Sequence, residues 1–180
     1  MIAPSKFRLF LAGALLAVLG SCSDFPEIPY ENRITSSSSY PYIEIGGQAW
    51  MIHNLNVPPG VCYDNQENNC KKYGKLYTLE AAKNACPSGW RLPSSAEWNA
   101  LIEAAGNLVA GEYLRNTDGF AALYGGFGQG TEFELADKSG FWWDSDGNYH
   151  NIAFGYNDIQ SEKEDTPNTL YSVRCVRDSK

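Results

Sequence analysis

The chain has 180 residues, 14 basic against 21 acidic side chains and a formal net charge of −7. An acidic chain of this size is long enough for one well-cored domain, and its charge argues against nucleic acid and against electrostatic docking onto anionic lipid. Seventeen glycines with 8 Phe, 11 Tyr and 5 Trp suggest short, glycine-bounded segments in a loop-rich mixed fold, not a helical bundle.

At the N-terminus, Lys6 and Arg8 precede Leu9–Leu19, an uncharged run of 11 residues. A helix needs roughly 20 apolar residues to cross a bilayer, so the run fits a secretory leader instead. Leu19-Gly20-Ser21-Cys22 then resembles a bacterial lipobox, which implies cleavage after residue 21, acylation of Cys22 and a lipid-anchored protein. Loss of Lys6 and Arg8 takes the net charge from −7 to −9. Residues 22–40 read as a polar tether, with Pro26, Pro29 and the serine run Ser36–Ser39. Ser23-Asp24 with Glu27 resembles the acidic tags that route some lipoproteins to the cell surface. They form no continuous acidic run, so the expected location is the outer membrane, on the cell surface in preference to the periplasmic face.

The folded domain is expected over 41–180. Tyr42–Ile45 and Ala49–Ile52 flank Gly46-Gly47 and predict a β-hairpin. Leu79–Ala85 predicts a short helix capped by Thr78. Ser94 and Glu97 form a capping box that opens a helix to about Ala105, with Trp98, Leu101 and Ile102 on one face. Beyond residue 107 the pattern predicts short strands and turns: Phe120–Leu123, Thr131–Leu135, Phe141–Trp143, Tyr149–Phe154 and Tyr171–Val176. Gly125-Gly126-Phe127-Gly128-Gln129-Gly130 lacks the Gly-Lys-Ser/Thr ending of a phosphate loop and reads as a flexible turn.

Besides Cys22 there are four cysteines, and four cysteines allow three pairings. Cys62 and Cys70 bracket a polar, Asn-rich loop, so a local Cys62–Cys70 clamp is the cheapest arrangement and leaves Cys86 to pair with Cys175. No Cys-x2-Cys spacing and only two histidines, His53 and His150, argue against a metal site. Neither histidine has a nucleophile and a carboxylate in recognisable spacing, so both read as structural or surface residues.

A family resemblance rests on several blocks in order: Gly47-Gln48-Ala49-Trp50-Met51 with Asn54-Leu55; Cys62-Tyr63-Asp64-Asn65; Tyr73-Gly74-Lys75-Leu76-Tyr77; Ala85–Ser94 with Glu97-Trp98; Gly119–Leu123 with Gly125-Gly126; Gly140-Phe141-Trp142; and Ser172–Val176. Together they resemble the Fibrobacter succinogenes major paralogous domain over residues 41–178. The resemblance implies an α+β, C-type-lectin-like fold, akin to formylglycine-generating enzymes, with two short helices and a small, mainly antiparallel, loop-rich sheet. It agrees with a Cys86–Cys175 bridge and defines no activity. Arg91–Trp98 shares the look of the formylglycine-generating enzymes, but their copper-binding pair of reactive thiols has no counterpart here, so no enzyme activity and no cofactor are expected.

The expected ligand-binding patch is Trp143, Asp144, Asp146, Asn148, Tyr149 and His150. In the resembling family a Trp is followed by a small residue; Trp142 matches and reads as core, which leaves Trp143 facing the other way, where it is either covered by loops or exposed for stacking on a sugar or a protein partner. Asp144-Ser145-Asp146-Gly147-Asn148 alternates oxygen ligands, but its glycine falls fourth and the twelfth position is Gly155, so it reads as a hairpin turn and not a calcium loop. The expected function is a non-enzymatic binding or adhesion module for a glycan or an extracellular protein, joined to the membrane through Cys22. The alternative is a structural subunit or decorating module of an envelope or fimbrial assembly.

Overall fold

A computed structural model describes residues 39–117 and 119–179. The leader, Cys22 and the tether up to residue 38 lie outside the described residues. The fold is α+β, with four short α-helices and two sheets among the described residues, one of three strands and one of seven.

β1 (Tyr42–Ile45) and β2 (Gln48–Met51) form the expected hairpin, in which Ile43 opposes Trp50. Gly46 and Gly47 turn it at φ of 61° and 80°, a region that costs other residues strain. The free edge of β2 takes β10 (Val176–Asp178), with Val176 opposite Trp50, so the two ends of the domain close on one strand.

α2 (Leu79–Ala85) is capped by the Thr78 hydroxyl, which accepts from the Ala81 amide at 3.3 Å. α3 (Ser95–Ala104) opens on the expected box: Ser94 Oγ accepts from the Glu97 amide and Glu97 Oε2 accepts from the Ser94 amide at 2.8 Å. Two further helices correct the expectation of two. α1 (Glu67–Tyr73) replaces the expected Asn-rich loop. Its buried side chains are Cys70 and Tyr73, held by the Cys62–Cys70 disulfide and by Asn56, which donates to the Cys70 carbonyl at 3.1 Å. α4 (Ala110–Arg115) buries Ala110, Gly111 and Leu114, and the Gly111 amide donates to the Asn157 carbonyl at 2.7 Å. Both helices are too short and too poor in large apolar residues to show a periodic face.

The large sheet runs β3 (Leu76–Tyr77), β9 (Thr169–Ser172), β4 (Gly125–Gln129), β6 (Ser139–Trp143), β7 (Asn148–Ala153) and β8 (Gln160–Lys163), with β5 (Glu132–Ala136) beside β4. Most pairings are antiparallel; β6 meets β4 and β9 in parallel at Gly126–Gly140 and Trp142–Ser172. Three expectations are corrected here. The stretch expected to be a flexible turn is strand β4. A Cβ on Gly126 would come within 2.3 Å of the Glu134 carbonyl oxygen, so its glycine admits the neighbouring strand and is not slack. Phe120–Leu123 is not a strand; Phe120 is buried beneath Arg174. Tyr171–Val176 is not continuous, because Val173, Arg174 and Cys175 leave β9, pass through the core and rejoin the other sheet as β10.

Arg174 is the pivot of that crossing. It is wholly buried; its guanidinium donates to Asn54 Oδ1 at 2.8 and 3.1 Å and to the Met51 and Phe120 carbonyls at 3.0 and 2.5 Å, and it lies over the Phe120 ring. Burial pushes its pKa down to about 9, which leaves it charged at neutral pH. The Cys86–Cys175 disulfide ties the end of α2 to the same segment, so both expected bridges are present.

Two apolar clusters lie on opposite faces of the large sheet. Trp50, Trp98, Leu114, Phe120, Trp142 and Ile152 belong to the first, with α3 and α4. Tyr77, Ala82, Trp143, Tyr171, Val173 and Cys175 belong to the second, under α2.

Candidate functional site

Adjacent residues of a strand point to opposite faces, and Trp142 and Trp143 do. Both faces are covered. Trp142 is fully buried, and its Nε1 donates to Asn54 Oδ1 at 2.9 Å. Trp143 is only 2% exposed, and its Nε1 donates to the Tyr77 carbonyl at 2.7 Å while Tyr171 packs on its ring. Of the two readings of Trp143 the covered one holds and the ligand-stacking one is corrected: Ala82 of α2 and Tyr171 of β9, distant in sequence, share its cluster.

Asp144 opens the expected turn between β6 and β7 and is also buried. Its Oδ1 accepts from the Asp146 and Asn148 amides, both at 2.9 Å. Its Oδ2 accepts from Ser95 Oγ at 2.6 Å, Asn148 Nδ2 at 2.9 Å and His150 Nε2 at 3.1 Å. Burial works to raise the carboxyl pKa, but these hydrogen bonds outweigh it and hold the group well below the usual carboxylate range. A carboxylate already accepting five donors is a structural anchor, not a ligand for an incoming molecule. Asp146 is exposed, yet its Oδ2 accepts from the Ser95 amide at 2.8 Å, so it also serves to seat α3 on the turn. Among the described residues no group of three or more His, Cys, Asp or Glu side chains is placed to hold a metal ion.

His150 is 1% exposed and stacks on Trp98, with centroids 4.4 Å apart and planes at 14°. Burial lowers its pKa, against an opposing pull from Asp144, so the imidazole is neutral at pH 7. Its second nitrogen, Nδ1, lies 2.7 Å from Ser161 Oγ on β8. His53 is exposed and stands apart from this network.

Of the six expected site residues, Tyr149 is left half-exposed, on the outer face of the large sheet, away from α3. Phe127, Phe141 and Tyr149 form a half-buried aromatic row there, with ring centroids 5.3 Å apart for Phe127–Phe141 and 5.8 Å for Phe141–Tyr149. Tyr149 donates to Glu162 Oε2 at 2.9 Å; burial and that carboxylate push its phenol up to about 12. Beside the row, Asn151, Ala153, Tyr156, Asp158 and Gln160 line an open groove of about 260 Å³. Tyr156 is 63% and its neighbour Phe154 73% exposed. Composition and spacing do not mark these groove residues. They meet because β7 and β8 pair Asn151 with Gln160 and the intervening loop folds back.

The Fibrobacter succinogenes major domain family matches the chain over residues 43–177. The chain belongs to this family. Within this Fibrobacter succinogenes major domain the match runs from β1 to β10 and so takes in both sheets, both disulfides and the outer-face groove. No curated protein and no solved structure is significantly similar to the chain.

Proposed function

We propose that the protein is a cell-envelope lipoprotein, anchored through Cys22 on the outer face of the outer membrane, whose domain is a binding or adhesion module of C-type-lectin-like fold for a glycan. Closure of an N-terminal hairpin by the last strand, with a disulfide from a helix end to that segment, supports the fold assignment. The leader and Leu19-Gly20-Ser21-Cys22 support the anchor.

The observation that carries the binding role is the outer-face groove, which a largely exposed Tyr156 lines together with Asn151, Asp158 and Gln160. A tyrosine face packs against the C–H side of a sugar ring, while planar amides and a carboxylate accept from and donate to its hydroxyls. The groove is small, suited to one sugar unit of a longer chain. A glycan array and polysaccharide pull-down with the lipidated protein test this, with Tyr156→Ala beside wild type. Binding that Tyr156→Ala abolishes supports the assignment; no binding to any glycan overturns it in favour of a protein ligand. Incorporation of a palmitate analogue that is lost in Cys22→Ala tests the anchor, and protease accessibility on intact cells tests the membrane face.

The second reading, a subunit or decorating module of an envelope or fimbrial assembly, draws on β8. Among the described residues this strand pairs with β7 alone, and all four of its residues are exposed. An open edge can accept a neighbour's strand. Glu162 and Lys163 place charges on that edge, a common device against such pairing, so the binding reading is preferred.

A further inference from the structure

The buried pair on the inner side of β7 ends at an exposed hydroxyl. Ser161 sits opposite His150 in the β7–β8 register, on the accessible edge strand. Ser161 Oγ is 2.7 Å from His150 Nδ1, and His150 Nε2 is 3.1 Å from Asp144 Oδ2. Nucleophile, base and orienting carboxylate are thus in line, each within hydrogen-bond reach of the next.

The proton positions follow from the partners. Asp144 is ionised and accepts from every group around it, so it requires the imidazole proton on Nε2. Nδ1 is then bare and accepts from the Ser161 hydroxyl. The ring cannot swing away, because it lies flat on Trp98 at 4.4 Å and is shut from solvent. A surface serine normally gives its proton to water. Here that proton is directed at a fixed, neutral imidazole, and the oxygen lone pairs are left to the outside. Nothing local in the sequence announces this, since Ser161 lies in the polar stretch Gln160-Ser161-Glu162-Lys163 and only the strand register brings it to His150.

We propose that Ser161 is an activated nucleophile, poised by His150 and Asp144 to capture an acyl group from an ester-bearing ligand. In the step, Ser161 Oγ forms a bond to the ester carbonyl carbon and its proton passes to His150 Nδ1. The ester C–O bond then breaks, and the departing alkoxide takes that proton as an alcohol. The products are Ser161 as an ester and free alcohol, and the imidazole returns to its neutral form. Asp144 stays ionised throughout and stabilises the transient imidazolium. The result is a covalent capture, so it extends a binding role and does not require turnover. Ser161 and the outer-face groove lie on opposite faces of β8, and the two sites are tested separately.

The test is labelling of the whole folded protein with a fluorophosphonate, whose own leaving group supplies the activation, followed by intact mass and peptide mapping. The expected result is one adduct per chain, on Ser161, forming on the order of 100-fold faster than on any other serine of the protein. It is absent in Ser161→Ala, an exposed edge substitution that leaves the buried pair in place. No adduct on Ser161, or equal labelling of Ser161→Ala, overturns the proposal.

Discussion

His150 lies flat on Trp98, with ring centroids 4.4 Å apart, and between them a β-strand and a helix are locked face to face. The imidazole also bonds to Asp144, which in turn accepts from Ser95 at the start of α3. One buried polar chain therefore joins α3, the β6–β7 turn and β8. Its stability depends on charge state.

Acid is expected to loosen this junction. Burial lowers the folded-state pKa of His150 below its ordinary 6.5, so the unfolded chain binds the extra proton first as pH falls. Stability present near pH 7 is thus lost progressively below about 6.5. Asp144, whose folded-state pKa is depressed, acts in the same direction at lower pH and withdraws stability as pH falls through the carboxylate range. Thermal melts from pH 7.5 to 5 should show a falling Tm. Partial burial, with the Arg174 charge, lowers the pKa of His53 as well, so His53→Ala should lessen the slope, while His150→Gln should flatten what remains. An unchanged slope in His150→Gln would place the acid sensitivity elsewhere.

Removing Arg174 should be costly although it has no carboxylate among its bonded partners. Arg174→Met takes the guanidinium donor from the Met51 and Phe120 carbonyls inside the core, while Asn54 Oδ1 keeps only the Trp142 indole. Each buried acceptor left unpaired costs about 1–3 kcal/mol, so a loss of roughly 3 kcal/mol or more is expected in urea unfolding. Arg174→Lys should recover little, because an ammonium cannot reproduce the fork that reaches all three.

The Cys86–Cys175 bridge spans 89 residues and should be the more stabilising of the two. The chain-entropy account assigns a loop of that length about 4–5 kcal/mol. A Cys86→Ala, Cys175→Ala double variant should melt many degrees below wild type. A melt within a degree or two of wild type would contradict a constraint on the unfolded chain. Non-reducing peptide maps of wild type should contain the 62–70 and 86–175 cross-links.

Trp143→Ala should act on stability and not as the loss of a ligand contact. Truncating a buried Trp costs about 3–5 kcal/mol, and here it also strands the Tyr77 carbonyl that the indole N–H serves. Tyr156→Ala, by contrast, removes a 63% exposed ring and should leave Tm nearly unchanged while abolishing glycan binding. Unfolding curves of the two variants separate packing from recognition.

Much of the framework is legible where its signal is local. The Gly46-Gly47 turn, the Thr78 cap and the Ser94–Glu97 box need only residues within a few positions of one another, and each appears where expected. α1 and α4 were illegible because disulfide geometry and small-residue packing hold them, not an apolar stripe. The glycine-rich β4 looked like a turn because glycine is neutral between turn and close strand packing, and only the presence of β5, β6 and β9 decides which.

By itself, then, the amino-acid sequence determined the hairpin and the two capped helices through short-range chemistry, the family and the α+β class through the order of its motif blocks, and the disulfide pairs through a local Cys62–Cys70 clamp that leaves Cys86 and Cys175. Tertiary structure alone decided what is exposed. Asn54 and Arg174 meet across 120 residues, and Ser161 meets His150 only through strand register. Trp143 is hidden because α2 and β9 pack over it. Exposure depends on what long-range packing places above a side chain, and no local pattern records that.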